Sequence, residues 1–196
     1  MDVIEGRASD GAGAITYVAL LRGVNVGGHR LIKMAELKRL FEAMGFGRVR
    51  THIQSGNVVF TSSDALPEPL RQRIEREIAA RFGFPVTVVL RTAAELERII
   101  AACPFPADTL AEGENLYLAL LADAPSPQAV ERLRTSESGS DEFRIIGREV
   151  YLLYRRSARD TLLTNAFLER TLGVAATTRN WRTMRTLAEM ASATEA

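Results

Sequence analysis

The run Arg22-Gly23-Val24-Asn25-Val26-Gly27-Gly28-His29-Arg30 sets three glycines among two guanidinium groups, an imidazole and a carboxamide. Glycine permits backbone conformations that aim several N–H groups at one point, and such a loop can cradle a phosphate or a carboxylate. Arg22, His29 and Arg30 would add positive charge, and Asn25 both a donor and an acceptor. The spacing Gly23-x4-Gly28 after a strand approaches that of a P-loop. His29-Arg30 stands where Lys and Ser/Thr would be required, so phosphoryl transfer on magnesium is not supported. A plainer reading stands beside the binding one: a crossover whose glycines only permit tight turns.

Two further segments carry polar groups in unusual density. Gln54-Ser55-Gly56-Asn57 reads as a hairpin tip, because Ser-Gly and Gly-Asn form turns, and also as a cluster of amides and a hydroxyl for a ligand. Thr177-Thr178-Arg179-Asn180-Trp181-Arg182-Thr183 joins the last strand to the last helix, with Thr178 or Asn180 as its cap. Trp181 falls on an apolar stripe with Met184, Leu187 and Ala188, so it reads as core more than as a stacking platform. Arg179, Arg182 and Arg185 recur every three residues and would form a small basic ridge, and Arg185 is placed to pair with Glu189.

No catalytic constellation emerges, and no cofactor or metal is implied. His29 and His52 are the only histidines, and neither has metal-ligand spacing with Cys103 or with a carboxylate pair. Cys103 lies between alanine and proline and reads as inert packing. Ser55 has no base near it in sequence.

The elements that must position these groups recur in one pattern. Ile15–Arg22 is a strand. Met34–Met44 is a helix with Met34, Leu37, Leu40, Phe41 and Met44 on one stripe. Arg48–Ile53 and Asn57–Thr61 make a hairpin, Pro67 opens a helix that ends at Gly83, and Pro85–Arg91 is a strand. A helix over Thr92–Ala102 follows, capped by Thr92 with Glu95 three residues on. The order then restarts: strand Asn115–Ala122, helix Pro127–Thr135, hairpin Phe143–Ile146 with Glu149–Tyr154, helix Asp160–Leu172, strand Val174–Thr178 and a helix over Asn180–Met190. The expected fold is α+β: two tandem ferredoxin-like (βαββαβ) plaits with a connecting helix and an extra C-terminal helix. Residues 1–14 are expected to form a disordered leader, 15–91 the first plait, 92–114 the connecting helix and loop, and 115–196 the second plait with its C-terminal helix.

The central strands are apolar on both sides, with Val18 and Leu20 opposed to Tyr17, Ala19 and Leu21, and Leu116, Leu118 and Leu120 opposed to Tyr117, Ala119 and Leu121. A plait whose open face met water would alternate apolar with polar. The open sheets are therefore expected to pack on each other or on a partner subunit. Within the first plait, the end of strand one and the tip of the central hairpin are expected at opposite ends of the sheet, roughly 17 Å apart.

Bulk properties narrow the function classes. Apolar residues make up 46% and charged residues 25%, both at globular averages. The net charge of +1 provides no long-range field to gather nucleic acid or anionic membrane, so any anion site is local. Asn57–Thr61 also lacks the aromatic-glycine pattern with which RNA-recognition domains stack bases. One cysteine excludes an intrachain disulfide, and with no signal-like N-terminus and no long apolar run, the expected location is cytoplasmic.

The strings LLRGVNVGGHRLIKMAEL, THIQSGNVVF and TTRNWRT, in that order, resemble the bacterial family known as domain of unknown function 1697. The resemblance runs from about Ile15 to Met190, with His52 standing where that family has tyrosine. It implies a fold of two ferredoxin-like halves and supplies no activity. The positions matching its motifs are Arg22, Gly23, Asn25, Gly27, Gly28, Gln54, Ser55, Gly56, Asn57, Thr178, Arg179, Asn180 and Trp181. The leading functional expectation is a binding protein for a small anionic or nucleotide-like metabolite, held at the Gly-rich loop by Arg22, Gly23, Asn25, Gly27 and Gly28, with Gln54, Ser55, Asn57, Arg179, Asn180 and Trp181 as further ligand-binding candidates. Two alternatives stay open: a structural or interaction module, including a homodimer, and weak nucleic-acid binding through the arginine ridge.

Overall fold

The computed structural model of the chain describes residues 13–155 and 160–195, so all but the last two residues of the expected leader lie outside the described residues. Eight strands and six helices follow in the order β1 (Ile15–Leu21), α1 (Met34–Ala43), β2 (Gly47–His52), β3 (Asn57–Ser62), α2 (Pro67–Phe82), β4 (Val88–Thr92), α3 (Ala93–Ala101), β5 (Asn115–Leu121), α4 (Pro127–Arg134), β6 (Glu142–Ile146), β7 (Glu149–Tyr154), α5 (Asn165–Leu172), β8 (Ala176–Asn180) and α6 (Trp181–Glu195). They build a mixed α+β molecule with two four-stranded antiparallel sheets, ordered β2-β3-β1-β4 and β6-β7-β5-β8. Among the described residues no helix is long and apolar enough to cross a membrane.

Several boundaries differ from the sequence reading: β8 runs over Ala176–Asn180 rather than Val174–Thr178, α6 extends to Glu195 rather than Met190, and two others shift for local reasons. β4 begins at Val88 rather than Pro85, because proline has no N–H to give the ladder. α5 begins at Asn165 rather than Asp160, because the hydroxyl of Thr164 caps it by accepting from Phe167 N at 3.2 Å, while Leu163 is buried ahead of the helix with its carbonyl accepting from the Tyr154 hydroxyl. At the edge strand β2 the register slips between Gly47 and Arg50, a bulge in which Arg48 takes a φ of +47°.

Three apolar clusters account for the two-sided strands. Tyr17, Ala19 and Leu21 of β1 pack with Leu37 and Phe41 of α1 and Leu70, Ile74 and Ile78 of α2. Ala119 and Leu121 of β5 do the same with Leu133 of α4 and Leu168 and Leu172 of α5. The opposite faces, Val18 and Leu20 with Leu116, Leu118 and Leu120, enter one common cluster with Leu96 and Ile99 of α3 and Met184, Leu187 and Ala191 of α6. The open faces are thus covered within the chain, but not by each other alone. The connecting and C-terminal helices fill the layer that both sheets share.

Each of these helices follows directly on the last strand of its sheet. α3 starts with the expected capping box: Thr92 Oγ1 accepts from Glu95 N at 3.1 Å and Glu95 Oε2 accepts from Thr92 N at 2.9 Å. At the head of α6, Asn180 Oδ1 accepts from Thr183 N at 2.8 Å. One residue before each cap stands an arginine that reaches across to the other sheet. Arg91, opposite Val18, donates through Nε to Glu149 Oε1 at 3.0 Å and through NH2 to the Leu121 carbonyl at 2.9 Å. Arg179, opposite Leu118, donates through NH2 to the Leu21 carbonyl at 2.9 Å.

Arg91 is 1% exposed, and burial weakens its hold on the proton while Glu149 opposes that shift. Removing one partner of a buried pair strands the other charge. Arg91→Ala is expected to cost about 3–5 kcal/mol in urea unfolding at neutral pH. A loss under about 1 kcal/mol would show that the Arg91–Glu149 pair does not hold the halves together.

Candidate functional site

The Gly-rich loop and the hairpin tip adjoin, contrary to the expected separation. β1 and β3 are antiparallel neighbours with Leu20 opposite Asn57, so β1 ends where β3 begins, and β3 begins at the hairpin tip. Leu21 N donates to the Gly56 carbonyl at 2.8 Å. Asn25, in a left-handed conformation at φ +57°, ties the two together. Its Nδ2 donates to the carbonyls of Ile32 at 2.9 Å and Gln54 at 2.8 Å, and its Oδ1 accepts from Ile32 N at 2.8 Å.

Between these ties the loop is a miniature hairpin. His29 N donates to Val26 O at 3.1 Å and Asn25 N to Arg30 O at 3.2 Å, across Gly27 and Gly28 at φ +59° and +78°. Positive φ at both central residues is the two-residue turn that suits the twist of paired strands. The tip, from Val26 to Leu31, is exposed. Gly56 has a different task. At φ +72°, a Cβ there would lie 2.6 Å from Val24 Cγ2 and 2.7 Å from Leu21 Cβ, so the loop can settle on the hairpin only over a glycine.

Arg179 brings in the third motif. Its Nε donates to Asn57 Oδ1 at 2.7 Å, NH1 to Thr177 Oγ1 at 2.6 Å and the Thr178 carbonyl at 3.0 Å, and NH2 to the carbonyls of Leu21 at 2.9 Å and Ser55 at 2.7 Å. All five N–H donors are used, every acceptor is neutral, and Arg179 forms no ion pair among the described residues. The side chain is 9% exposed, and burial pushes its pKa down to about 10 with no carboxylate to offset the shift. Asn57, fully buried, is fixed in turn by donating to His52 O at 3.0 Å and Ser55 Oγ at 2.9 Å.

These residues floor a cleft of about 320 Å³. Of the sequence candidates, Gly23, Ser55, Arg179 and Asn180 line it. Asn25, Gln54 and Asn57 build its wall through the bonds above, while Gly27 and Gly28 stand at the exposed tip. Arg22 turns away to a two-pronged pair with Glu169 of α5. Trp181 is core, 8% exposed with its ring centroid 6.3 Å from that of Tyr151. The arginine ridge does not form, because the chain passes from strand to helix after Asn180. Arg179 is therefore buried in the joint while Arg182 and Arg185 lie exposed on α6, and Arg185 pairs with Asp108 at 3.1 Å rather than with Glu189.

Sequence reasoning missed the aliphatic lining, Val24, Val26 and Ile53, and the Thr183 hydroxyl. Ile53 is 52% exposed at φ +46°, a conformation that a β-branched residue adopts only under strain. A β-branched residue next to a turn was the one available signal. A larger depression of about 580 Å³ runs along α6, but Arg182 and Arg185 share it with Glu114 and Glu189, so it offers no net charge. No group of three or more potential metal ligands occurs among the described residues, and burial raises the Cys103 thiol pKa, which keeps it protonated.

Two substitutions test the joint. Gly56→Ala combines a clash with a left-handed backbone and is expected to cost about 2–4 kcal/mol in urea unfolding. At Glu169, burial would raise the carboxyl pKa, but hydrogen bonds from Arg22 and the Ala176 N–H prevail and hold it below its usual value. Its stabilising contribution is then present above the unfolded carboxylate value of about 4.3 and lost as pH falls through the folded one. Glu169→Gln should flatten that acid limb in thermal midpoints measured from about pH 6 to 3. An unchanged limb would show that the Arg22–Glu169 pair does not carry it.

The sequence profile of the family described as "Protein of unknown function (DUF1697)" matches residues 15–151, and the chain belongs to that family. The match takes in the Gly-rich loop and the hairpin tip, and the Arg179 motif lies beyond it. No curated protein sequence matches. Among solved structures, the chain is similar to "conserved bacterial protein SP0830 from Streptococcus pneumoniae", at 21% identity and a TM-score of 0.73, over 91% of this chain and 99% of that one. At that identity the likeness concerns the fold.

Proposed function

We propose that this member of the family binds a small anionic metabolite in the cleft where the Gly-rich loop, the hairpin tip and the β8–α6 junction meet. The single observation that carries the reading is Arg179, a buried guanidinium that lines the cleft and has no counter-charge in its hydrogen-bonded shell. Its donors are spent on holding the floor in place, so it acts on a ligand as a fixed charge. An anion about 5 Å away, at an effective dielectric of about 20, gains roughly 3 kcal/mol before its own desolvation is counted. Hydrogen bonds come from the rim, where the Asn180 carboxamide is exposed and Ser55 and Thr183 present hydroxyls.

The scaffold in this reading is a pair of ferredoxin-like units, residues 15–91 and 115–196 joined by 92–114, descended from one duplicated unit. The identical strand orders and the two crossing arginines support it. α6 is then no addition, since it answers to α3. The setting proposed for the protein is the cytoplasm.

A second reading, a purely structural joint, is favoured by one specific observation: all five Arg179 donors already end on acceptors of the chain itself. Thermal unfolding against a panel of nucleotides, sugar phosphates and carboxylates at millimolar concentration separates the two. Ligand at 100 times its Kd adds about 2.7 kcal/mol, a shift of several degrees. The binding reading expects at least one anion to raise the midpoint of the wild type and not that of Ser55→Ala/Asn180→Ala. If none moves it, the joint is structural.

A further inference from the structure

Resting on the binding reading above, we infer that the ligand is a short aliphatic monocarboxylate and that Asn57 is the residue that reserves the cleft for it. The two crossing arginines occupy matching positions, Arg91 opposite Val18 and Arg179 opposite Leu118. Their surroundings also match. Arg91 NH2 meets the carbonyls of Leu121 and Arg148, and Arg179 NH2 meets those of Leu21 and Ser55, in each case the end of a first strand and the tip of a hairpin. Their Nε partners are both first residues of the returning strand, Glu149 opposite Leu120 and Asn57 opposite Leu20. There the symmetry breaks. Glu149 neutralises Arg91, whereas Asn57 offers Arg179 the same geometry without the charge.

The cleft has a sign and a size. One guanidinium floors the cleft, and the nearby Arg22 is already bound to Glu169, so a single negative charge balances the site and a phosphate dianion would carry one in excess. The rim supplies neutral donors. The Asn180 Nδ2 and the Thr183 hydroxyl make no hydrogen bonds among the described residues, and the Ser55 oxygen accepts from Asn57, which leaves its proton free for a ligand. Three donors suit the two oxygens of a carboxylate. The remaining walls, Val24, Val26 and Ile53, are aliphatic, and Val26 and Ile53 are 66% and 52% exposed. At about 320 Å³ the cleft lies at the small end for ligand sites.

Valerate is the probe, with inorganic phosphate and neutral 1-pentanol as controls, read by calorimetric titration and thermal midpoint on the full chain. Wild type is expected to bind valerate and neither control. Asn57→Asp supplies the missing counter-charge from within and should weaken valerate by roughly tenfold or more beyond the loss seen in the neutral Asn57→Ser, which gives up the bonds to Arg179 and Ser55 without adding charge. A merely structural Asn57 would fail in both variants alike. Equal valerate affinity in Asn57→Asp and wild type overturns the inference. Binding of phosphate or a nucleotide without valerate also overturns it and leaves the binding reading standing, whereas silence toward every anion ends both. If Asn57→Asp does not fold, Ile53→Asp at the cleft mouth takes its place, in a left-handed conformation that aspartate tolerates. It must weaken valerate by a similar factor, and unchanged affinity there refutes the proposal.

Discussion

A four-stranded sheet with two helices on one side leaves the other side to be covered by something else, and in this chain both sheets are apolar on that second side. Val18 and Leu20, with Leu116, Leu118 and Leu120, cannot be left in water without exposing a patch that would bind whatever met it. The chain answers with α3 and α6, each leaving the last strand of its own sheet and lying in the common layer. The candidate cleft sits at the margin of that layer, where loops from one half come within reach of side chains from the other.

Arginine suits that margin for reasons of shape. A planar group with five donors can satisfy several backbone carbonyls at once, which neither lysine nor a neutral side chain can do. Leu21 and Ser55 would otherwise present carbonyls to a joint with little water, and Arg179 ends that deficit from the other half. The cost is a buried charge, offset at Arg91 by Glu149 and left standing at Arg179.

The fold was legible in the sequence to the extent that periodicity reports it. The stripes of α1 and α2, the Thr92–Glu95 box and the glycines ending α2 and α5 each follow from local rules, and they place the elements within a few residues. What local rules do not carry is adjacency. The supposed 17 Å between the Gly-rich loop and the hairpin tip failed because antiparallel pairing of β1 with β3 returns the tip to the end of β1. The ridge of Arg179, Arg182 and Arg185 failed because three-residue spacing means one face only within a helix, and the helix starts two residues after Arg179. Of the candidate site, the polar motifs could be read by composition, but Val26, Ile53 and Thr183 became visible only once three separated segments stood side by side.

The slipped register of β2 has a bearing on the company the protein keeps. This strand forms the outer rim of its sheet, and a straight rim is an invitation for a strand of another molecule to zip alongside. With Arg48 turned to a left-handed conformation in the slip, and with the Arg50 guanidinium drawn onto the Met190 carbonyl of α6, the rim breaks its regular row of donors and acceptors. The irregular rim is thereby a poorer template for a foreign strand than a straight one would be.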